Sequence, residues 1–149
     1  MRIYSLSDLA ATEALAARLG PLVRKGDLLA LQGPLGAGKT AFARAFLRVL
    51  GVEDDVPSPT FTLVQGYDLP RFSIYHYDLY RLKSPDELVE LGWDEGLLEG
   101  LTLVEWPERA SGHMPTDYLL LRFTMDDNER RHCAVEPHGD WSKRLRGFQ

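Results

Sequence analysis

The spacing of apolar and polar positions divides the chain into short elements of alternating type. Residues 2–6 read as a short strand, after which Ser7 can cap a helix that carries Ala11, Leu15, Leu19 and Leu22 on one face and ends near Gly20 and Pro21. Residues 27–32 (Asp-Leu-Leu-Ala-Leu-Gln) form a nearly continuous apolar run, the pattern of a strand buried on both faces. A glycine-rich turn leads into a helix predicted over 39–50, where Phe42, Phe46, Val49 and Leu50 make an apolar stripe and Gly51 stops the helix. Strand, tight turn and helix in this order open a βαβ unit.

The middle of the chain is richer in strand signals. Residues 60–67 and 72–78 are separated by Asp68-Leu69-Pro70-Arg71, a hairpin connection. Ser84-Pro85-Asp86-Glu87 is a helix start, with Ser as cap, Pro in the first turn and Glu three residues on; this helix ends by Gly92, and a second short helix covers 93–98. Residues 101–106 form another buried-type strand. Residues 118–124 and 131–136 form a closing hairpin around Asp126-Asp127-Asn128, and 141–146 a terminal helix. With no internal repeat, low-complexity tract or linker, the chain reads as one α/β domain over 1–149 with a mixed sheet.

Composition narrows the class. The 149 residues are 44% apolar and 26% charged, which is ordinary globular chemistry. Seventeen Lys and Arg against 22 Asp and Glu give a net charge of −5, which argues against coating DNA or RNA through bulk positive charge. A single Cys133 leaves no disulfide framework and no cysteine zinc cluster, and it fits a reducing compartment. No apolar run is long enough to span a membrane, and the N-terminus has no apolar secretion core. The expected location is the cytoplasm, without a membrane partner.

Gly33-Pro34-Leu35-Gly36-Ala37-Gly38-Lys39-Thr40 matches G-x-x-x-x-G-K-[ST] at every fixed position. Glycines let successive backbone N–H groups curl around a phosphate, and the helix that follows turns its positive end to the same anion. In this pattern Lys39 reaches the β- and γ-phosphates, the Thr40 hydroxyl ligates Mg²⁺, and Ala41 continues the first helical turn. The motif lies between a buried strand and an amphipathic helix, as its chemistry requires. A nucleoside triphosphate is the expected ligand.

Such a loop needs an acid from a neighbouring strand end to hold Mg²⁺ or orient water. Asp78 closes Phe-Ser-Ile-Tyr-His-Tyr-Asp and Glu105 closes Leu-Thr-Leu-Val-Glu, so both acids are candidates; each could instead bond a loop or an arginine. Ser58-Pro59-Thr60 offers either a γ-phosphate-sensing threonine or a proline turn. His76 is a packed core residue or a base, and Trp106 walls a nucleotide site or fills core. Arg81, Arg130 and Arg131 are phosphate or adenine contacts or solvated charges.

Four blocks taken together, residues 33–40, Ser-Pro-Thr-Phe-Thr-Leu-Val at 58–64, His-Tyr-Asp-Leu-Tyr-Arg-Leu at 76–82 and Val-Glu-Trp-Pro-Glu at 104–108, resemble the bacterial TsaE family. The resemblance runs from about Ser7 to Val135 with the motifs in order. It implies a three-layer αβα sandwich with a P-loop core. It also implies an ATPase needed to make threonylcarbamoyladenosine beside the anticodon of transfer RNAs that read codons beginning with A. Such a protein binds ATP and Mg²⁺ and supports repeated cycles of the TsaB–TsaD complex, in which TsaD transfers the threonylcarbamoyl group, so transfer RNA is met through the complex. The resemblance makes Lys39 and the loop backbone the phosphate holders, Thr40 and Glu105 the Mg²⁺ ligands, and Asp78 the acid that positions or activates water. It makes Thr60 a switch-loop threonine and Trp106 a neighbour of the nucleotide, with Thr12 and Arg130 near the adenosine. Pro34 departs from the aspartate usual in the family, which stiffens the loop at a position that is not its main phosphate donor.

Two other classes fit the loop alone. A small-molecule kinase would need an arginine-bearing lid, and between residues 53 and 98 only Arg71 and Arg81 stand. A nucleotide-dependent binding module could use Arg44 and Arg48, one turn apart, as a docking face. An isolated P-loop ATPase is slow, so turnover is expected to be weak alone and raised by the partner complex.

Overall fold

A computed structural model describes residues 2–53, 56 and 62–148. Its centre is a seven-stranded mixed sheet in the order β1-β7-β6-β2-β5-β4-β3. The strands are β1 (Arg2–Ser5), β2 (Leu28–Gln32), β3 (Val64–Asp68), β4 (Ser73–Asp78), β5 (Gly100–Glu105), β6 (Tyr118–Met125) and β7 (Arg131–His138). The helices are α1 (Leu9–Leu19), α2 (Lys39–Leu50), α3 (Glu87–Glu90), α4 (Trp93–Glu99) and α5 (Trp141–Arg144).

Parallel pairing runs from β6 through β2 and β5 to β4, and the antiparallel β7, β1 and β3 extend the two edges. The apolar run of β2 is explained by its central place. Leu29 and Leu31 pack into a core with Leu15, Leu19, Phe42 and Phe46 from α1 and α2, while Leu28 and Ala30 face Tyr77, Leu88 and Trp93 on the other side. Two cores on two sheet faces make the three-layer αβα sandwich that the family resemblance implies.

Local chemistry sets the element ends. α2 begins at Gly38 and ends at Gly51, both in the left-handed region at φ 109° and φ 113°, so the predicted span 39–50 is the observed one. The cap of α1 is Asp8 rather than Ser7: its carboxylate accepts from the Ala11 N–H at 2.8 Å. Leu22 of the predicted helix lies in a 3-10 turn after Gly20, because Pro21 cannot continue the ladder. Before α3, Glu87 Oε1 accepts from the Lys83 and Ser84 N–H groups at 3.0 Å, the reciprocal half of a capping box. The strand expected over 60–67 begins at Val64, after a turn in which Leu63 has φ 68°; residues 60 and 61 lie outside the described residues.

This topology positions the site. Because β2, β5 and β4 are parallel neighbours, their C-terminal ends meet at one rim, with Leu31 opposite Glu105 and Glu105 opposite Asp78. In open parallel sheets that rim is where ligands bind.

Candidate functional site

At this rim the loop between β2 and α2 faces the two strand-end acids across a cleft of about 320 Å³. The loop's first glycine is required by sterics: Gly33 has φ 152°, and a Cβ there would lie 2.4 Å from the Phe123 carbonyl oxygen of β6. The loop is therefore pressed against the sheet at one end and released into α2 at the other. Ala37 is fully buried beneath it, and Leu35, Gly36, Gly38, Lys39, Thr40 and Ala41 line the cleft.

Lys39 is the first residue of α2 and is buried at 5% exposure. Among the described residues its Nζ has no hydrogen-bond partner; it sits 3.4 Å from the centre of the Trp106 ring. Burial pushes the Lys39 ammonium below the ordinary lysine range, while the nearby charges of Glu105, Glu108 and Asp78 pull it back up. A buried cation left without a hydrogen-bond acceptor, inside a glycine loop and beneath a helix N-terminus, has the chemistry of a group waiting for an anion.

The acids arrive from adjacent strands. Glu105 and Asp78 are buried, both line the cleft, and both project to the α2 side of the sheet, as Ile74 and Leu103 do on the same strands. Glu105 Oε2 is 2.8 Å from His76 Nε2. Asp78 Oδ1 accepts from the Tyr80 N–H at 3.1 Å, and the Leu79 N–H donates to the Glu105 carbonyl at 3.1 Å, so the end of β4 is tied to the end of β5.

Trp106 follows directly, with φ 60° and ψ 53° although Pro107 comes next. A residue before proline favours extended backbone and a bulky residue avoids positive φ, so this is a strained position. It is held by the Trp106 N–H donating to the Leu31 carbonyl at 3.3 Å and by the Tyr80 ring, 5.0 Å away. In this conformation the indole ring lies against the Lys39 ammonium.

The candidate residues are thus distributed unevenly. The loop, Lys39, Thr40, Ala41, Asp78, Glu105 and Trp106 come together at one cleft. Thr12 is buried on α1 and is not among the lining residues. Arg130 lies in the exposed β6–β7 turn, where its N–H bonds Asp126; the cleft is lined instead by Arg81 and by its neighbour Arg131, whose Nε donates to the Gly36 carbonyl at 3.0 Å. Thr60 lies outside the described residues. Tyr80 lines the cleft with Arg81 and was not singled out from the sequence; its place two residues past Asp78, just beyond the strand end, was the available signal.

Fold and cleft define the class, an α/β protein with a glycine-rich loop between its central strand and the next helix. Residues 6–133 match the family model described as Threonylcarbamoyl adenosine biosynthesis protein TsaE. Three relatives carry the name tRNA threonylcarbamoyladenosine biosynthesis protein TsaE. The Rickettsia bellii protein is 42% identical over 124 residues, 83% of each chain. That of Rickettsia conorii is 39% identical over 134 residues, covering 89% of this chain and 77% of its own. That of Nostoc sp. is 34% identical over 137 residues, covering 89% and 83%. The crystal structure of Bacillus subtilis YdiB superposes with a TM-score of 0.79 at 25% identity, covering 99% of this chain and 96% of its own. The chain belongs to the TsaE family, which acts in tRNA threonylcarbamoyladenosine biosynthesis.

Proposed function

We propose that this chain is a cytoplasmic, Mg²⁺-dependent ATPase that supports threonylcarbamoyladenosine formation by the TsaB–TsaD complex on transfer RNAs reading codons that begin with A. The observation that carries the reading is the buried Lys39 Nζ, without a hydrogen-bond partner among the described residues, at a cleft lined by Asp78 and Glu105. The loop amides and Lys39 would hold the β- and γ-phosphates, and Trp106 would cover them from the open side.

Thr40 and Glu105 are the residues that would hold Mg²⁺. The donor set fits, since Mg²⁺ is ordinarily bound by one or two carboxylates together with substrate phosphates rather than by an all-protein cage. When bound, the cation supplies charge neutralisation at the phosphates. Asp78 would accept a hydrogen bond from a water and turn its lone pair toward the γ-phosphorus, contributing position more than basicity. Arg131, bonded to Gly36, would keep the loop closed at its tip.

Slow turnover in isolation follows, because charge developing on the transferred phosphoryl group is best met by a cation supplied in trans; such a group is worth about 10³–10⁵ in rate. The test compares Lys39→Ala with Asp78→Asn in calorimetry with Mg²⁺ and an ATP analogue, and in transfer RNA modification reconstituted with TsaB–TsaD over many rounds. Lys39→Ala is expected to lose binding. Asp78→Asn should bind yet fail to sustain repeated rounds. If the wild-type chain binds no nucleotide, the reading is wrong, and an Asp78→Asn protein that sustains modification would make the chain a binding module whose hydrolysis is incidental.

A further inference from the structure

His76 is the buried titratable side chain at this rim to which the reading above gives no task. It is 2% exposed, and its Nε2 lies 2.8 Å from Glu105 Oε2, itself on a residue 3% exposed. Its Nδ1 has no hydrogen-bond partner among the described residues, so the bond to Glu105 is the one directional contact the ring makes there. A carboxylate that binds a cation in its ionised form can only accept, so in that form the shared hydrogen belongs to Nε2.

Geometry makes the contact more than packing. His76 and Asp78 stand two apart on β4 and so project to the same face, and Glu105 is the register partner of Asp78 on β5. The imidazole therefore meets the glutamate from the strand that also delivers the second acid. A glutamate has three rotatable bonds, and fixing them at the moment of cation binding has an entropic cost. One donor on Oε2 fixes them beforehand and leaves Oε1 for a cation in the cleft that Glu105 lines.

We propose that His76 is a positioning residue, whose Nε2–H holds the Glu105 carboxylate in one orientation toward the divalent cation. This rests on the reading of Glu105 as a cation ligand given above. Hydrogen-bond partners of metal ligands are worth about 10–100-fold in metal affinity.

The test uses the full chain, a non-hydrolysable ATP analogue, and calorimetry across MgCl₂ concentrations and in EDTA. His76→Gln places an amide donor where Nε2 stands, while His76→Asn stops at the Nδ1 position and falls short of Glu105. The Mg²⁺ concentration giving half of the gain in analogue affinity is expected to stay near wild type for Gln and to rise about 10–100-fold for Asn, with affinity in EDTA unchanged for both. Equal shifts in the two variants, no shift in Asn, or a parallel loss in EDTA would overturn the positioning role. A wild-type chain that binds the analogue equally with Mg²⁺ and with EDTA would instead remove Glu105 as a cation ligand, and the present inference with it. Independently of any variant, the His76 Nε2–H resonance of ¹⁵N-histidine-labelled wild-type protein should shift when MgCl₂ is added to the analogue complex; an unmoved resonance overturns the proposal.

Discussion

The Lys39 ammonium rests 3.4 Å from the centre of the Trp106 ring, and both residues line one cleft. Cation and indole hold each other in the absence of a stronger anion, since a cation–π contact is worth about 0.5–2 kcal/mol whereas hydrogen bonds to charged groups reach about 1.5–3 kcal/mol each. A triphosphate would draw the ammonium off the ring. Tryptophan emission is therefore expected to change on titration with Mg²⁺ and an ATP analogue. Trp93 and Trp141 are each 1% exposed and sit in the two cores, so the change should vanish in Trp106→Phe. A persisting change would place the reporter elsewhere.

Lys39→Met separates binding from stability. Methionine keeps the apolar stem and removes a charge that burial already disfavours. Affinity for the analogue should fall about 10–100-fold, matching the loss of about 1.5–3 kcal/mol of charge-assisted bonding. The thermal midpoint should hold or rise, because no hydrogen-bond partner is stranded among the described residues. A lowered midpoint would show that Lys39 supports the fold.

On the far side of the α2 core, the Arg144 guanidinium bonds both oxygens of the buried Asp27, with Nη2 to Oδ1 at 2.7 Å. Asp27 Oδ2 also accepts from the Arg24 N–H at 2.6 Å, closing the turn before β2. Arg144→Ala leaves this carboxylate buried with its charge partner gone, at a cost of about 3 kcal/mol or more, or roughly 6–12 °C in thermal midpoint. Arg144→Lys should recover little, since an ammonium cannot reproduce the two-pronged geometry. Calorimetric melting of the two variants checks this.

Alkaline pH should weaken the fold before acid chemistry at the cleft is considered. Burial pushes the Cys133 thiol from 9.0 up to about 12 and the Tyr77 phenol from 10.0 up to about 12. The native state therefore keeps protons that the unfolded chain releases, so this stability is whole below about pH 9 and is lost as pH climbs toward 12. Urea midpoints measured across that window should decline, and Cys133→Ala should decline less steeply.

Much of the fold was readable in the sequence where local chemistry decides it. The span of α2 follows from glycines at both ends, and the central burial of β2 from a run with no polar break. Strand order was not readable, because the pairing of β1 with β7 and of β5 with β4 joins segments that periodicity treats separately. The same limit hid the contact between His76 and Glu105, 29 residues apart. The resemblance picked Arg130 over Arg131, whereas the residue pattern alone could not rank the two and the cleft is lined by Arg131. Neighbours at a strand start face opposite ways, and only the hairpin register, with Met125 opposite Arg131, decides which arginine turns to the loop. Lys39, Asp78 and Glu105 stood out because a motif or a strand end marks each of them.

Glu105 is the middle rung of a ladder, flanked by Leu31 on one side and Asp78 on the other, in strands buried on both faces. The acids inherit their spacing from the register of paired strands rather than from a loop. Their separation is therefore expected to persist on warming until the sheet itself unpairs, whatever the glycine loop opposite them does.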